Sequence, residues 1–222
     1  MSGMTELEQG NDLQITPSVV FNRSSQRPHQ LNSEWQSDND VEPSLDVRWG
    51  ITPSTLLSAT INPDFSQVEA DAGQLDINST FALFYPEKRA FFLDNKDYFD
   101  TQLNLLHTRN IVSPDYGLKL TSKLGDHTFA TLATNDTNTN FLVTGNLSSD
   151  IASIDENSQN FAGRYRYDIG AALSMGALIT AKTSEDYHNY VSSVDVKYQP
   201  TDQDTFIGQY VVSDTQYPIN FS

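Results

Sequence analysis

The feature that most constrains this chain is an alternation of apolar and polar side chains in its second half. In the segment 161–168, aromatic residues and glycine alternate with alanine and charged residues. In 193–198, valine and tyrosine alternate with serine, aspartate and lysine. A period of two is that of a β-strand, whose successive side chains point to opposite faces. The pattern predicts an all-β, antiparallel fold whose strands have one apolar and one charged face.

About ten strands are predicted, and no helix longer than a turn or two. The polar stretch 23–43 is predicted to be a surface loop because it is rich in Ser, Asn, Gln and Asp. The strand signals fall in the segments 12–22, 45–49, 55–61, 103–109, 116–124, 128–134, 140–147, 160–167, 171–182, 190–198 and 205–212.

The lengths of the links favour a barrel over a sandwich. Gly125-Asp126 is a two-residue connection that predicts a primed hairpin turn. Short links such as 168–170 and 200–203 alternate with longer polar ones such as 148–159 and 183–189, which is typical of bacterial outer-membrane barrels. Alternation alone would also suit a soluble sandwich, whose charged face meets water. Tyrosines near strand ends favour membrane-interface girdles.

The stretch from Asn62 to Leu93 has neither a strand nor a helix period, and we predict a folded connector over 62–100. Short strands are predicted within it at 81–84 and 90–93. Its first half-motif reads Asn62-Pro63-Asp64-Phe65-Ser66-Gln67-Val68-Glu69-Ala70-Asp71. Its second reads Phe84-Tyr85-Pro86-Glu87-Lys88-Arg89-Ala90-Phe91-Phe92-Leu93.

These two half-motifs, NPDF-QVEAD and PEKR-FFL, resemble those of a family of bacterial outer-membrane β-barrel proteins of undefined biochemical role. Longer members carry a family-9-type carbohydrate-binding-like module ahead of the barrel. The resemblance covers roughly residues 10–110, and Ala90 stands where a proline is common in the family. It implies a Gram-negative outer-membrane location, contact with outer-membrane lipid, and a role linked to carbohydrate handling or passage of a small solute.

Composition excludes several classes of function. Lys and Arg total 13 against 29 Asp and Glu, a net charge of −16 that repels nucleic acid. The chain has no cysteine, which excludes disulfides and thiolate chemistry. Mean hydropathy is −0.46, and no apolar run reaches the ~18 residues of a membrane helix. Residues 1–11 are predicted to be a tail without signal-peptide features, so we expect a signal and a leading domain upstream.

Catalytic and metal chemistry has little support. Asp64, Glu69 and Asp71 lie close enough in sequence to suggest a glycosidase pair. We favour instead the pairing of Asp64 and Glu69 with Lys88 and Arg89, where the half-motifs meet. The four histidines lack metal-ligand spacing, and no nucleophile elbow is present. No catalytic residue, metal site or cofactor is predicted.

A set of charged residues would point into the barrel lumen. They could line a solute path or neutralise acidic partners such as Asp46 and Asp195, and we favour neutralisation. The lumen candidates are Arg48, Lys119, Lys123, Arg164, Arg166, Lys182, Asp195 and Lys197.

These patterns together predict that 12–222 is part of one transmembrane β-barrel domain that continues beyond this sequence. The connector would lie inside the lumen or across one mouth. The main alternative is a soluble, exported β-sandwich that binds carbohydrate or protein. A weaker alternative is a glycoside hydrolase that uses Asp64 with Glu69 or Asp71.

Overall fold

The computed structural model of this protein describes residues 12–26, 36–63, 87, 89–111, 114–137, 139–144, 149–154 and 156–218. Eleven strands lie in this part of the chain. They are β1 (Asp12–Gln26), β2 (Gln36–Thr52), β3 (Thr55–Ile61), β4 (Pro114–Leu124), β5 (His127–Asp136), β6 (Thr139–Thr144), β7 (Ser149–Ile154), β8 (Ser158–Ile169), β9 (Leu173–Thr183), β10 (His188–Tyr198) and β11 (Phe206–Gln216).

Nine strands form one antiparallel sheet, so the predicted all-β antiparallel class is confirmed. Its order is β1-β2-β3-β4-β5-β8-β9-β10-β11, with β1 and β11 at the two open edges, while β6 and β7 pair separately as a hairpin. Each strand pairs with the next along the chain, except that β8 follows β5. No helix in the described residues is long and apolar enough to cross a membrane.

The three shortest links between neighbouring strands of this sheet lie at one of its ends. At one end, β2 and β3 are joined by two residues, β4 and β5 by Gly125-Asp126, and β8 and β9 by three residues. Gly125 has φ +59°, which a primed turn requires at its first central residue. The connection that carries both half-motifs leaves the opposite end, as does the four-residue link between β9 and β10, whereas the seven-residue link between β10 and β11 lies at the end with the short turns. We call these the short-turn end and the long-loop end.

The two faces of the sheet differ in chemistry because the register aligns like residues across strands. Leu118, Ala133, Phe161, Ala181 and Tyr190 lie side by side across β4, β5, β8, β9 and β10 on what we call the outer face. The next row lies on the opposite, inner face and comprises Lys119, Leu132, Ala162, Thr180 and Val191. One register slip would exchange the two faces, which is why this pattern specifies the pairing.

Burial is inverted relative to a water-soluble protein. Among the described residues, buried polar side chains outnumber buried hydrophobic ones, and nearly all buried residues of the sheet lie on the inner face. The outer face leaves large apolar side chains open, including Ile15, Val19, Trp49, Leu118, Phe129, Tyr165, Met175, Ile179, Val194, Tyr210 and Val212.

Residue 87 and residues 89–111, which we call the inner segment, pack on the inner face. The segment contains the four-residue helix α1 (Ala90–Leu93) and two 3-10 helices, Lys96–Phe99 and Thr108–Asn110. A Cβ at Gly117 would lie 2.9 Å from the Phe91 ring, so glycine permits this close approach. The small apolar core joins Phe91, Phe92, Phe99 and Ile111 of the inner segment to Ala130, Leu132, Ala162 and Leu178 of the sheet.

Two strand predictions, one within the connector and one just after it, are wrong. Residues 90–93 form α1, and 103–109 are irregular until the second 3-10 helix begins. A strand would point Phe91 and Phe92 to opposite sides, whereas a helical turn buries both adjacent rings against the sheet. The predicted strand 81–84 lies outside the described residues.

Two loop predictions are also wrong. β1 and β2 stay paired in register out to Gln26 and Gln36, within the predicted loop 23–43. β7 occupies part of the predicted loop 148–159 and pairs with β6. The extensions of β1 and β2 are rich in Ser, Gln, Asn and Asp, so no apolar period marks them in the sequence.

Candidate functional site

The site with the densest polar interactions is the contact between the inner segment and the inner face. Arg89 is its centre and is buried together with Glu87; their side chains are 5% and 3% exposed. The guanidinium forms a bidentate pair with the Glu87 carboxylate, with Nε–Oε1 and Nη2–Oε2 distances of 2.9 and 2.8 Å. Such forked pairing holds both groups in one geometry.

The remaining donors of Arg89 close the inner segment on itself. Nη1 donates to the carbonyl oxygen of Ile111 at 2.7 Å, and Nη2 donates to that of Thr108 at 2.9 Å. The Thr108 hydroxyl donates to Glu87 Oε2 at 2.7 Å, and the Phe92 ring lies 4.2 Å from the guanidinium carbon. Two residues of the PEKR motif thus tie the beginning of the inner segment to its end, about twenty residues later.

The ionisation of Glu87 reflects this environment. Burial alone would raise its pKa, because desolvation disfavours the charged form. The hydrogen bonds and positive charge of Arg89, together with the Thr108 hydroxyl, outweigh burial and lower the pKa of Glu87 from 4.5 to about 2. The carboxylate is therefore charged throughout the physiological range, which suits a structural partner rather than a general acid.

Side chains of the sheet hold the inner segment through its backbone. Lys119 is 2% exposed, and its ammonium group donates to the carbonyl oxygens of Phe91 and Asp94. Lys182 donates to the carbonyl oxygen of Asn110 at 3.0 Å. These lysines, from β4 and β9, satisfy carbonyl groups that short helices leave unpaired.

Neutral groups add two further links between the sheet and the inner segment. Gln209 Oε1 accepts a hydrogen bond from the backbone N–H of Leu103 at 2.8 Å. Asn95 donates from its side chain to the Thr121 hydroxyl at 2.7 Å. Strands from β4 to β11 therefore contribute to holding this segment.

A second ion pair lies within the sheet. Arg164 on β8 reaches past β9 to form a bidentate pair with Asp195 on β10, one arm at 2.8 Å. Between them is Gly176, where an added Cβ would lie 2.5–2.7 Å from the guanidinium. Glycine at this position leaves the space through which the arginine crosses the strand, and a glycine inside a strand often signals such an approach.

The other lumen candidates occupy the same inner face in different settings. Arg48 lies 3.4 Å from Asp94 and is half exposed, and its partner in the inner segment could not be predicted from sequence. Arg166 lies 3.3 Å from Asp168 of its own strand. Lys197 is exposed. The structure thus brings Arg48, Lys119 and Lys182 to the inner segment, whereas Arg166 and Lys197 lie near the short-turn end.

The first half-motif is described only at its beginning. Asn62 adopts a left-handed φ of 46°, which asparagine tolerates better than most residues. Its side chain donates to the carbonyl oxygen of Pro43 at 2.8 Å, and Pro63 is buried. The other half-motif residues singled out, Asp64, Phe65, Gln67, Glu69, Asp71, Pro86 and Lys88, lie outside the described residues, as does the predicted pairing of Asp64 and Glu69.

A polar cavity of about 440 Å³ lies beside the inner segment toward the short-turn end. Its lining combines the hairpin turn between β2 and β3 with inner-face residues of β1 to β4 and two residues of the inner segment, Asn95 and Tyr98. Neither residue lies in a periodic pattern, so the sequence does not mark them as site residues. Within the described residues, no group of three or more His, Asp or Glu side chains could hold a metal ion.

The family model described as "Domain of unknown function (DUF5916)" matches residues 13–142, a range that contains both half-motifs. A comparison with curated proteins finds no match.

Among solved structures, the chain is similar to OmpT (in-vitro folded), an outer membrane protein of Vibrio cholerae, at 10% identity and TM-score 0.33, covering 91% of this chain and 76% of that one. The trimer form gives 10% identity, TM-score 0.33 and coverage of 96% and 80%. A loop L8 deletion mutant of OmpT gives 10% identity and a TM-score of 0.32, covering 92% of this chain and 83% of that one.

Proposed function

Because the chain belongs to the DUF5916 family, whose description assigns no activity, we propose its function from its two surfaces: it forms part of the wall of a bacterial outer-membrane β-barrel. One observation carries the proposal, namely that the sheet exposes its apolar face and buries its polar one. Water-soluble monomers rarely expose apolar patches that span a whole sheet. A lipid-facing wall requires such a band, with polar residues on the lumen side.

Strand length supports the same proposal. β4, β9, β10 and β11 each have 11 residues, and β5 and β8 have 10 and 12. A tilted strand needs about 9–11 residues to cross the hydrocarbon layer of a bilayer. The six strands therefore match one membrane thickness, whereas strands of soluble sheets most often have about 5–6 residues.

Aromatic residues border the apolar band. Near the short-turn end, the rings of His127 and Tyr167 stack at 4.7 Å, and those of Phe129 and Tyr165 lie 5.1 Å apart. Toward the long-loop end, Tyr116 and Tyr190 are exposed on the outer face. Rings of this kind prefer the two membrane–water interfaces, where an amphipathic side chain meets both lipid and water.

In this proposal the inner segment is a plug that lies against the lumen side of the wall. Its fixation by Lys119, Lys182 and Gln209 supports a constitutive constriction rather than an open pore. The polar cavity beside it gives small polar solutes a place to enter. Passage of a small solute is the function we propose, and the carbohydrate link implied by the resemblance stays a prediction.

The alternatives have less support. A soluble β-sandwich needs a second layer over the outer face, and the described residues supply only the β6–β7 hairpin beside the main sheet. The glycoside hydrolase depends on Asp64, Glu69 and Asp71, which lie outside the described residues. Replacing Asp64 by Asn, with hydrolysis of glycosides as the readout, would test that alternative.

The test is to express the complete natural protein that contains this chain in a Gram-negative host and to separate its membranes. We expect the protein in the outer-membrane fraction, resistant to urea washing, with a band that migrates differently before and after boiling. Recovery in the soluble fraction, with no effect of boiling on migration, would reject the barrel and favour the sandwich.

A further inference from the structure

We infer that the cavity beside the inner segment is a binding site for a neutral, polyhydroxylated small molecule of mono- or disaccharide size. The inference rests on the proposed function and specifies its solute. The cavity measures about 440 Å³, within the roughly 300–1,000 Å³ of small-molecule sites.

The lining determines the class of solute. Its polar groups are mostly uncharged and include the hydroxyls of Thr52 and Thr121, the amide of Asn95 and the phenol of Tyr98. Hydroxyl and amide groups both donate and accept hydrogen bonds, as does each hydroxyl of a polyol. A solute rich in hydroxyl groups could therefore satisfy many of them at once.

The charges of the cavity disfavour ionic solutes. Arg48, the cation of the lining, lies 3.4 Å from the Asp94 carboxylate, and Asp12 adds a second carboxylate at the cavity edge. An anion would have to compete with Asp94 for Arg48 and would face Asp12. The lining itself contains one cation, Arg48, and one carboxylate, Asp12, so its charges balance and do not favour an ionic solute over a neutral one.

Tyr98 gives the site an aromatic surface on a fixed support. It is partly buried and packs against the apolar core formed by the inner segment and the sheet. Asn95 is held in the left-handed conformation at φ 50°, with its amide bonded to Thr121. Both residues belong to the inner segment, so the site would be assembled only when that segment is seated on the inner face.

The test measures binding of maltose, gluconate and glucosamine to the complete protein in detergent by isothermal titration calorimetry. We expect maltose to bind more tightly than either charged compound. Asn95→Gly removes the amide while keeping the left-handed backbone accessible, and should weaken maltose binding about five- to tenfold. Asn189→Ala is the matched control, because Asn189 bonds Thr215 away from the cavity and its loss should leave maltose binding unchanged.

Each outcome decides the inference. Heat-dependent migration, recorded on the same samples, reports separately whether the barrel has formed. A folded barrel that binds no maltose, that prefers gluconate or glucosamine, or that loses nothing in Asn95→Gly overturns the assigned site and leaves the proposed barrel intact. A protein that forms no barrel overturns both.

Discussion

The outer face and the inner segment are separated by one sheet, yet opposite interactions stabilise them. The outer face uses apolar side chains whose contacts have no preferred direction, so alternation every second residue is enough to specify it. The inner segment is held by directed bonds from Arg89, Lys119 and Lys182 to individual carboxylate and carbonyl oxygens. Substitutions on the outer face should therefore change stability through the transfer of a side chain between water and lipid. Substitutions in the inner segment should change it through the loss of a hydrogen-bond or ion-pair partner.

The largest effect is expected from Arg89→Met, which breaks the buried bidentate pair with the Glu87 carboxylate. Removing one member of a buried pair costs about 3–5 kcal/mol of unfolding free energy. Urea unfolding in detergent, followed by circular dichroism, measures it. Arg166→Met, which breaks a partly exposed pair, should cost at most about 1 kcal/mol.

The double variant Glu87→Leu with Arg89→Met sharpens that result. It removes both charges and should recover much of the loss, because no ionised group stays unpaired. Equal stability of Arg89→Met and Arg166→Met would show that the Glu87–Arg89 pair does not hold the inner segment.

The second prediction compares adjacent residues on opposite faces of β11. Val212 is 52% exposed on the outer face, and Ser213 is exposed on the inner face. Val212→Arg should destabilise the membrane-inserted protein by about 2–4 kcal/mol, and Ser213→Arg by much less, because only the first places a charge in lipid. Folding yield into lipid vesicles measures both. In a water-soluble protein, each of these changes would be nearly neutral.

The third prediction concerns acid. Because the pKa of Glu87 falls from 4.5 to about 2 on folding, its contribution of about 3 kcal/mol is complete above pH 4.5 and is lost as pH falls toward 2. Urea unfolding between pH 6 and pH 2.5 should show this decline. Glu87→Gln lacks the titrating group, so its profile should be flatter; an equally steep one would assign the decline to other carboxylates.

Sequence could predict much of the outer face and little of the inner segment. The period of two predicts that Tyr165 and Tyr167 share one face, because strand geometry is local. Phe91 and Phe92 are adjacent and both buried in a four-residue helix, which is too short to show a period in the sequence. Lys119 reaches Phe91 from 28 positions away, and no local pattern records such a bond.

The role of a glycine in these strands could be predicted only in part, because it depends on the face to which the glycine belongs. Gly176 and Gly208 both interrupt strand alternation in the sequence, and nothing in the sequence distinguishes them. In the structure, Gly176 lies under the Arg164 guanidinium, whereas a Cβ at Gly208 would meet only a Val196 methyl group at 3.4 Å. Gly176 thus makes a close approach on the inner face, whereas Gly208 makes an ordinary contact on the outer face.

The smallest predicted effect follows from this difference. Gly176→Ala should cost about 1–3 kcal/mol, because its methyl group occupies the space through which Arg164 reaches Asp195, and overpacking forces a shift. Gly208→Ala should change the unfolding free energy by no more than about 0.5 kcal/mol, since ordinary contact distance is kept. Urea unfolding of the two variants side by side measures both values. Equal costs would mean that the Arg164–Asp195 pair can re-form by another route, and the inner face would then be more adaptable than its directed bonds suggest.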